Sequence, residues 1–128
     1  MTRRRVISSG SDYEETYAYA RAVVVGDRVY VSGTTGFDYA TMTISDDVAE
    51  QADQCLTTID AALREAGGSI ADVVRVRYLL PDGTDFAACG PVLRRWFGEV
   101  RPAATMMVAG LLDPRMKIEI EAEAVLDL

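Results

Sequence analysis

The sequence predicts an α+β fold with one sheet and two helices that cover a single face of it. Short runs of β-branched residues bounded by turn residues indicate strands, and one long segment with apolar residues at three- and four-residue steps indicates an amphipathic helix. These elements follow one another in the order ββαβαββ. The length of 128 residues corresponds to one domain, 1–128, which is large enough to bury roughly two thirds of the unfolded surface.

The first two predicted strands are residues 23–25 and 29–31, which flank Gly26 and Asp27. A glycine followed by a short polar residue between two β-branched runs is typical of a tight hairpin turn. A loop rich in glycine, threonine and aspartate follows.

The longest predicted element is an amphipathic helix of about twenty residues that begins after Ser45. Ser45 is a good N-cap, and Asp46 and Asp47 suit the positive end of the helix dipole. Gly67 and Gly68 end the helix. Its apolar face consists of Val48, Ala52, Cys55, Ile59, Ala62, Leu63 and Ala66.

The remaining predicted elements are a strand, a shorter helix and two further strands. The shorter helix contains Gly90 and Pro91, which predict a kink or a restart because proline cannot donate its backbone hydrogen bond. Pro81, Asp82 and Gly83 end the preceding strand. In chain order, the four elements span residues 72–80, 85–98, 103–112 and 117–125.

The last strand alternates strictly between apolar residues and glutamates. Ile118, Ile120, Ala122 and Ala124 share one face, and Glu119, Glu121 and Glu123 share the other. Two helices can cover only one face of a sheet, yet the other strands are apolar at most positions, as strands buried on both faces are. We therefore expect other copies of the chain to cover the second face.

Composition excludes several kinds of site. The chain contains no histidine, so it has neither an imidazole base nor a Ser-His or Cys-His pair, and we expect no metal centre. Cys55 and Cys89 have no paired spacing and are expected to be small core residues. Acid–base chemistry is left to carboxylates, tyrosine, lysine or cysteine.

The formal net charge of −7 disfavours nucleic-acid binding, since phosphate contacts need a basic face. The one basic cluster, Arg3 to Arg5, lies at a terminus that we expect to fray. No apolar run approaches the ~18 residues of a membrane span, and no apolar leader segment follows the basic start. A cytoplasmic protein without membrane contact is expected.

Four segments, YVSG, EQADQCLTTIDAALREAGGSIADVVRVRYLL, WFGEVRPA and KIEIEAEA, resemble the reactive intermediate deaminase (RidA/YjgF, or endoribonuclease L-PSP) family in order and spacing. The resemblance runs from Tyr19 to Val125. It implies a chorismate-mutase-like fold with a mixed sheet, assembled as a homotrimeric barrel with small-molecule clefts between neighbouring subunits. Members of the family hydrolyse enamines and imines such as 2-aminoacrylate to keto acids and ammonia without any cofactor.

The same resemblance assigns roles to individual residues. Glu119 would handle water and protons, and Tyr19 would orient the substrate or a water molecule. Substrate-binding positions fall on Ser32, Gly33, Gly90, Ala104, Thr105 and Met106. From the pattern alone, Glu119 could instead lie on a solvated strand face, Tyr19 at the edge of the core, and Ser32 could only satisfy a strand end.

Three positions depart from the family. Gly90 stands where the family has an asparagine, Met106 where a cysteine is usual, and Ala104 where an arginine grips the substrate carboxylate. Loss of a guanidinium–carboxylate contact costs roughly 1.5–3 kcal/mol, which corresponds to a tenfold to more than hundredfold weaker complex. Activity on 2-aminoacrylate is therefore not expected.

An arginine elsewhere could supply the missing charge. Arg75 and Arg77 share one strand face, and Arg77 is our candidate because a strand with buried neighbours needs a reason to carry charge. Arg101 is a further possibility, and the alternative is that Arg75 and Arg77 form ion pairs between subunits.

Three functions are compatible with these observations. The first is a cofactor-independent deaminase or hydrolase that acts on a small imine or enamine, with a substrate that is larger than usual or lacks the carboxylate. The second is a non-catalytic, ligand-binding or regulatory trimer. An endoribonuclease is the weakest, because the chain is acidic and has no histidine or lysine-rich site to cut RNA.

Overall fold

The structure is a computed structural model that describes residues 4–126. These residues form eight strands and three α-helices, and two 3₁₀ segments, Ile70–Asp72 and Gly83–Cys89, precede the sixth strand and the last helix. In chain order the elements are β1 Arg4–Ile7, α1 Asp12–Tyr17, β2 Ala22–Val25, β3 Arg28–Thr35, β4 Phe37–Asp38, β5 Thr43–Ile44, α2 Val48–Glu65, β6 Val73–Leu80, α3 Gly90–Phe97, β7 Ala103–Val108 and β8 Glu119–Val125.

Six of the strands form one mixed sheet in the order β1-β2-β3-β8-β6-β7. Neighbouring strands are antiparallel except for β6 and β7, which are parallel. β4 and β5 form a separate two-stranded ribbon. The predicted α+β class with a mixed sheet is therefore confirmed.

The hairpin between β2 and β3 forms as predicted. Val25 pairs with Arg28, which leaves Gly26 and Asp27 as a two-residue turn. Gly26 has φ +62°, a backbone conformation that glycine adopts without steric cost. This turn fixes the register of β2 against β3.

The α2 helix begins later than the sequence predicts. Asp47, and not Ser45, is the N-cap, and its carboxylate accepts a hydrogen bond of 2.9 Å from the backbone N–H of Glu50. Ser45 instead donates to the side chain of Glu50. At the other end Gly67 has φ +102°, which confirms the predicted glycine stop.

The core lies between α2 and the covered face of the sheet. The predicted apolar face of α2 is buried, and both cysteines are buried free thiols within the same core. The sheet contributes Val29 and Val31 from β3, Val76 and Tyr78 from β6, and Ile120, Ala122 and Ala124 from β8. Alternation on β8 therefore leaves Glu119, Glu121 and Glu123 on the face away from the helices.

The predicted restart at Gly90 and Pro91 is present. The 3₁₀ segment Gly83–Cys89 leads directly into α3, and Pro91 lies in the first turn, where its missing N–H has no helical partner to lose. β7 ends at Val108, earlier than predicted, because Val108 pairs with Leu80, the last residue of β6.

Four short elements were not predicted: β1 and α1 near the start of the chain, and β4 and β5, which lie in the segment expected to be a loop. Ser11 caps α1 by accepting a hydrogen bond from the backbone N–H of Tyr13. Arg4 and Arg5 are not at a frayed terminus but belong to β1, and the guanidinium of Arg5 donates to the carbonyl oxygens of Glu65 and Ala66. Arg3 lies outside the described residues.

On the face of the sheet opposite α2, which we call the open face, the side chains of Tyr30, Arg75, Arg77, Glu121 and Glu123 are exposed or only partly buried. At the edge of the sheet, all six residues of β7 are exposed. Within the described part of the chain, every helix is too short or too polar to cross a membrane.

Candidate functional site

A bulge in β3 places Gly33 beside Glu119. Val31 pairs with Ala122 and Thr34 pairs with Ile120, so that Ser32 and Gly33 together oppose Glu121 alone. Such an insertion bends the strand and redirects its side chains. A Cβ atom on Gly33 would lie 2.5 Å from Oε2 of Glu119. The carboxylate therefore occupies the space that a side chain at position 33 would fill.

Glu119, Tyr19 and Gly33 line one cavity with a volume of about 160 Å³. The structure thus brings together both predicted catalytic residues and one predicted substrate-binding residue. The remaining wall includes the aromatic residues Tyr13, Phe37 and Tyr39, the sulfur of Met42, and the charged residues Asp113 and Arg115.

The pKa of Glu119 is raised above its ordinary value. Burial of the carboxyl group is the main cause, and repulsion from Glu121 adds to it, whereas the positive charge of Arg21 opposes the shift. A carboxyl group with a raised pKa exchanges protons more readily near neutral pH. Glu119 is therefore suited to take a proton from water and to return it.

Tyr19 reaches the cavity because α1 ends just before it. Ala18 adopts the left-handed conformation with φ 59°, and the backbone N–H of Tyr19 donates to the carbonyl oxygen of Glu14. Partial burial raises the pKa of the Tyr19 phenol, and Arg21 opposes this effect. The phenol stays protonated at neutral pH and is available as a hydrogen-bond donor.

Ser32 is engaged within the fold. Its hydroxyl donates a hydrogen bond of 2.6 Å to the carbonyl oxygen of Ala20, and its backbone N–H donates to the carbonyl oxygen of Arg21. It is not part of the cavity wall. In the protomer its hydroxyl therefore connects the segment that precedes β2 to the bulge of β3.

Arg21 is a component of the site that the sequence did not reveal. Its side chain is 1% exposed, and Nη1 donates to the carbonyl oxygen of Gly33 at 2.8 Å and to Oγ1 of Thr34 at 3.0 Å. Nε lies 3.6 Å from Oε2 of Glu14. Arg21 thus stabilises the bulge through these hydrogen bonds, and its buried positive charge acts on the carboxylate of Glu119. A charged residue at the start of an apolar strand was the available signal.

The rings of Tyr19 and Tyr39 flank the same guanidinium. The Cζ atom of Arg21 is 4.7 Å from the centre of the Tyr39 ring and 5.7 Å from that of Tyr19. Both distances are within the range of cation–π contacts. Tyr39 and Tyr19 are therefore fixed between the buried arginine and the cavity that they line.

Arg115 and Asp113 form a closed pair in the cavity wall. Nε of Arg115 is 3.1 Å from Oδ1 of Asp113, and Nη2 is 2.8 Å from Oδ2. Hydrogen bonds from Arg115 lower the pKa of Asp113 to about 2, so that the pair stays ionised at neutral pH. The guanidinium also lies 5.0 Å from the ring centre of Phe37. No sequence pattern pointed to this loop.

Four of the predicted substrate-binding positions lie elsewhere in the protomer. Gly90 begins α3, where a Cβ atom would contact Arg94. Ala104, Thr105 and Met106 lie on β7, which is two strands away from β8 in the sheet. Ala104 and Met106 point to the helix-covered face because they pair with buried residues of β6, and Thr105 points to the opposite face.

Arg77 does not line the cavity with Glu119. Its Nη1 atom is 2.7 Å from Oε1 of Glu121 and 3.9 Å from Oε1 of Glu123, so the guanidinium is paired within the protomer. Glu121, Glu123, Arg75 and Arg77 line a separate depression on the open face. In the protomer Arg77 is paired with its neighbours on β8, and the expectation that it supplies the missing charge stays a prediction. In residues 4–126 we find no cluster of acidic and cysteine side chains that could hold a metal ion.

Comparisons with known proteins agree with this fold. A family model described as Endoribonuclease L-PSP matches residues 11–126. The 2-iminobutanoate/2-iminopropanoate deaminase of Capra hircus is 35% identical over 123 residues, which cover 95% of this chain and 90% of that protein.

Two solved structures extend the agreement to three dimensions. Rv2704 from Mycobacterium tuberculosis, a member of the YjgF/YER057c/UK114 family, has a TM-score of 0.88 and 38% identity, covering 97% of this chain and 100% of that chain. RidA from the Antarctic bacterium Psychrobacter has a TM-score of 0.81 and 32% identity, with 94% of each chain covered. The chain therefore belongs to the endoribonuclease L-PSP family, which is the family of the RidA/YjgF proteins.

Proposed function

We propose that the chain is a cofactor-independent hydrolase of small reactive imines or enamines, with Glu119 as the proton-transfer group. The observation that carries the proposal is the carboxylate of Glu119 with its raised pKa, which shares a cavity with Tyr19 and Gly33. The family resemblance assigns proton transfer to the same glutamate. Relatives named 2-iminobutanoate/2-iminopropanoate deaminase, at about 35% identity, support this class of reaction.

The chemistry needs one group that both accepts and donates a proton. The Glu119 carboxylate takes a proton from water while the water oxygen bonds to the carbon of a protonated imine, whose C=N π electrons move to nitrogen. The carboxylic acid then protonates that nitrogen. The C–N bond then breaks, its electron pair leaves with ammonia, and the hydroxyl group becomes the carbonyl by giving its proton to the Glu119 carboxylate. Glu119 passes this proton to ammonia, which leaves as ammonium, and the carboxylate is restored.

Tyr19 and Gly33 would position the reactants. The Tyr19 phenol can donate to the developing hydroxyl or to the attacking water, while the missing side chain at Gly33 leaves room for the carboxylate to swing between oxygen and nitrogen. Positioning of this kind lowers the barrier because reacting groups lose their freedom before the chemical step.

The substrate is proposed to differ from 2-aminoacrylate. Ala104 offers no guanidinium for a carboxylate, and Arg77 is occupied by Glu121. We further propose a homotrimer with clefts between subunits, as the resemblance implies, in which β7 of a neighbour brings Ala104, Thr105 and Met106 to the Glu119 cavity. The exposed edge strand β7 and the open sheet face support this assembly.

A panel of imines generated in situ from different amino acids and amines tests the proposal. Wild type is compared with Glu119→Gln, and with Glu123→Gln as a matched control, since Glu123 lies on the same strand face but outside the cavity. Hydrolysis that Glu119→Gln abolishes and Glu123→Gln retains supports the enzyme. The second candidate is a non-catalytic binding protein, which the departure from the family at Ala104 favours. It would be supported if no imine is hydrolysed and the ligands raise the melting temperature equally in all three proteins.

A further inference from the structure

The cavity around Glu119 has an aromatic wall that is large enough for a ring. Tyr13, Tyr19, Phe37 and Tyr39 line it, and Met42 and Met116 add polarizable sulfur. An apolar cavity of about 150 Å³ accommodates a benzene ring, and this cavity has about 160 Å³. A substrate with a cyclic or aryl body is therefore compatible with its size.

The charges that line the cavity do not cancel. Arg115 and Asp113 neutralise each other through two hydrogen bonds. Glu119 is different, because in the described part of the chain no basic side chain forms an ion pair with it. Arg21 lies behind the bulge and is paired with Glu14. The ionised form of Glu119 therefore gives the cavity of the protomer one uncompensated negative charge.

We infer that this cavity selects a cationic substrate with an aryl or cyclic body and without a carboxylate, that is, an iminium or the amine related to it. Aromatic faces attract cations, and the Glu119 carboxylate adds a direct ion pair. The inference deepens the proposed function and rests on it only in placing the substrate in the Glu119 cavity.

A carboxylate substrate would meet two obstacles in the same cavity. Glu119 would repel it, and the negative charge of Asp113, which accepts hydrogen bonds from Nε and Nη2 of Arg115, would offset the attraction of that guanidinium. Selection against carboxylates therefore follows from the Asp113–Arg115 pair as much as from the alanine at position 104.

Three probes with one benzyl skeleton test the charge preference. Benzylamine, benzyl alcohol and phenylacetate differ in charge and little in size, and their dissociation constants are measured by calorimetry or by ligand-observed NMR on the full-length protein at neutral pH. We expect benzylamine to bind about tenfold tighter than benzyl alcohol, and phenylacetate to bind weakest.

Variants tie the preference to the named residues. Glu119→Gln is expected to bring benzylamine to the affinity of benzyl alcohol, and Glu123→Gln to leave it unchanged. Asp113→Asn, which releases Arg115, is expected to strengthen phenylacetate binding. The inference is overturned if wild type binds phenylacetate at least as tightly as benzylamine, if no probe binds at millimolar concentration, or if Glu119→Gln keeps the preference.

The two proposals fail separately. Imine hydrolysis together with a preference for phenylacetate would support the proposed hydrolase and contradict the inferred selection for cations. The expected order of probe affinities without any hydrolysis would support the cationic site and remove the proposed reaction.

Discussion

The carboxylate of Glu119 on β8 occupies the space beside Gly33 on β3, because a Cβ atom added to Gly33 would lie 2.5 Å from Oε2 of Glu119. The neighbour is the flexible end of a side chain, and the backbone of Gly33 does not have a positive φ. An added methyl group would therefore displace the carboxylate without straining the chain.

Gly33→Ala is expected to lower kcat/KM for imine hydrolysis by about ten- to a hundredfold, while the melting temperature stays close to wild type. The physical reason is that proton transfer needs the carboxylate within hydrogen-bond reach of the reacting water. Gly110→Ala is the matched control, because its added methyl group would meet no atom within 4 Å. An unchanged kcat/KM in Gly33→Ala would contradict the role of this contact.

Arg21 is expected to set the pH dependence of the reaction. Its positive charge opposes the rise in the pKa of Glu119, which burial and Glu121 cause. Only the ionised carboxylate accepts a proton, so kcat/KM falls as the pH drops through this pKa. Arg21→Gln removes a stabilising positive charge, and the acid limb is expected to move to higher pH.

Glu14→Gln is expected to have the opposite effect. Removal of the negative charge 3.6 Å from the guanidinium leaves Arg21 less neutralised, which lowers the pKa of Glu119 and moves the acid limb to lower pH. The ¹³C NMR titration of the Glu119 carboxyl group measures the same shifts without turnover. Shifts in the same direction for both variants would show that Arg21 acts only through the packing of the bulge.

Periodicity predicted the elements whose pattern is long enough to stand out. The α2 helix repeats its apolar face over several turns, and β8 alternates without a break, so both were found with their faces correctly assigned. β1 and α1 are too short for a period to show. The capping residue Ser11 with Glu14 three positions later was the signal that could have revealed α1.

The site was predictable only in part, for a related reason. The alternation of β8 does not distinguish Glu119 from Glu121 and Glu123. In the structure, Glu119 lies beside the bulge of β3 and lines the cavity, whereas Glu121 and Glu123 lie close to Arg77. The family resemblance pointed to Glu119, whereas Arg21 and Arg115 were missed. Glu14 reaches Arg21 only because the unpredicted helix α1 packs against it, and the Asp113–Arg115 pair lies in a loop whose place in the cavity wall depends on the tertiary fold.

The open sheet face predicts that the chain self-associates, and the family resemblance implies three subunits. Light scattering after gel filtration is expected to give three times the protomer mass of 13.9 kDa. Met107→Asp, which puts a charge on the exposed edge strand β7, is expected to reduce this mass to that of a smaller species. Thr57→Asp on the exposed side of α2 serves as the control and should leave the trimer intact. If wild type has the mass of a single protomer, the proposed cleft between subunits does not exist.

Ala104→Arg is expected to create activity on 2-aminoacrylate. In the proposed trimer, position 104 of one subunit faces the Glu119 cavity of its neighbour, and a guanidinium there could bind the substrate carboxylate bidentately. The gain is expected to be roughly tenfold or more in kcat/KM, from a contact worth about 1.5–3 kcal/mol. Stopped-flow assays that follow 2-aminoacrylate after its release from a pyridoxal-phosphate enzyme measure it.

Ala103→Arg is the matched control for that gain. Ala103 is the preceding residue of the same exposed strand, and its side chain points to the opposite face of the sheet because neighbouring strand residues alternate. Both variants add the same charge to β7, and gel filtration first establishes that both are still trimers, so a general electrostatic effect would change their activity equally. A gain confined to Ala104→Arg would locate the substrate carboxylate at this position, and equal activity in both variants would mean that β7 does not reach the cavity of the neighbouring subunit.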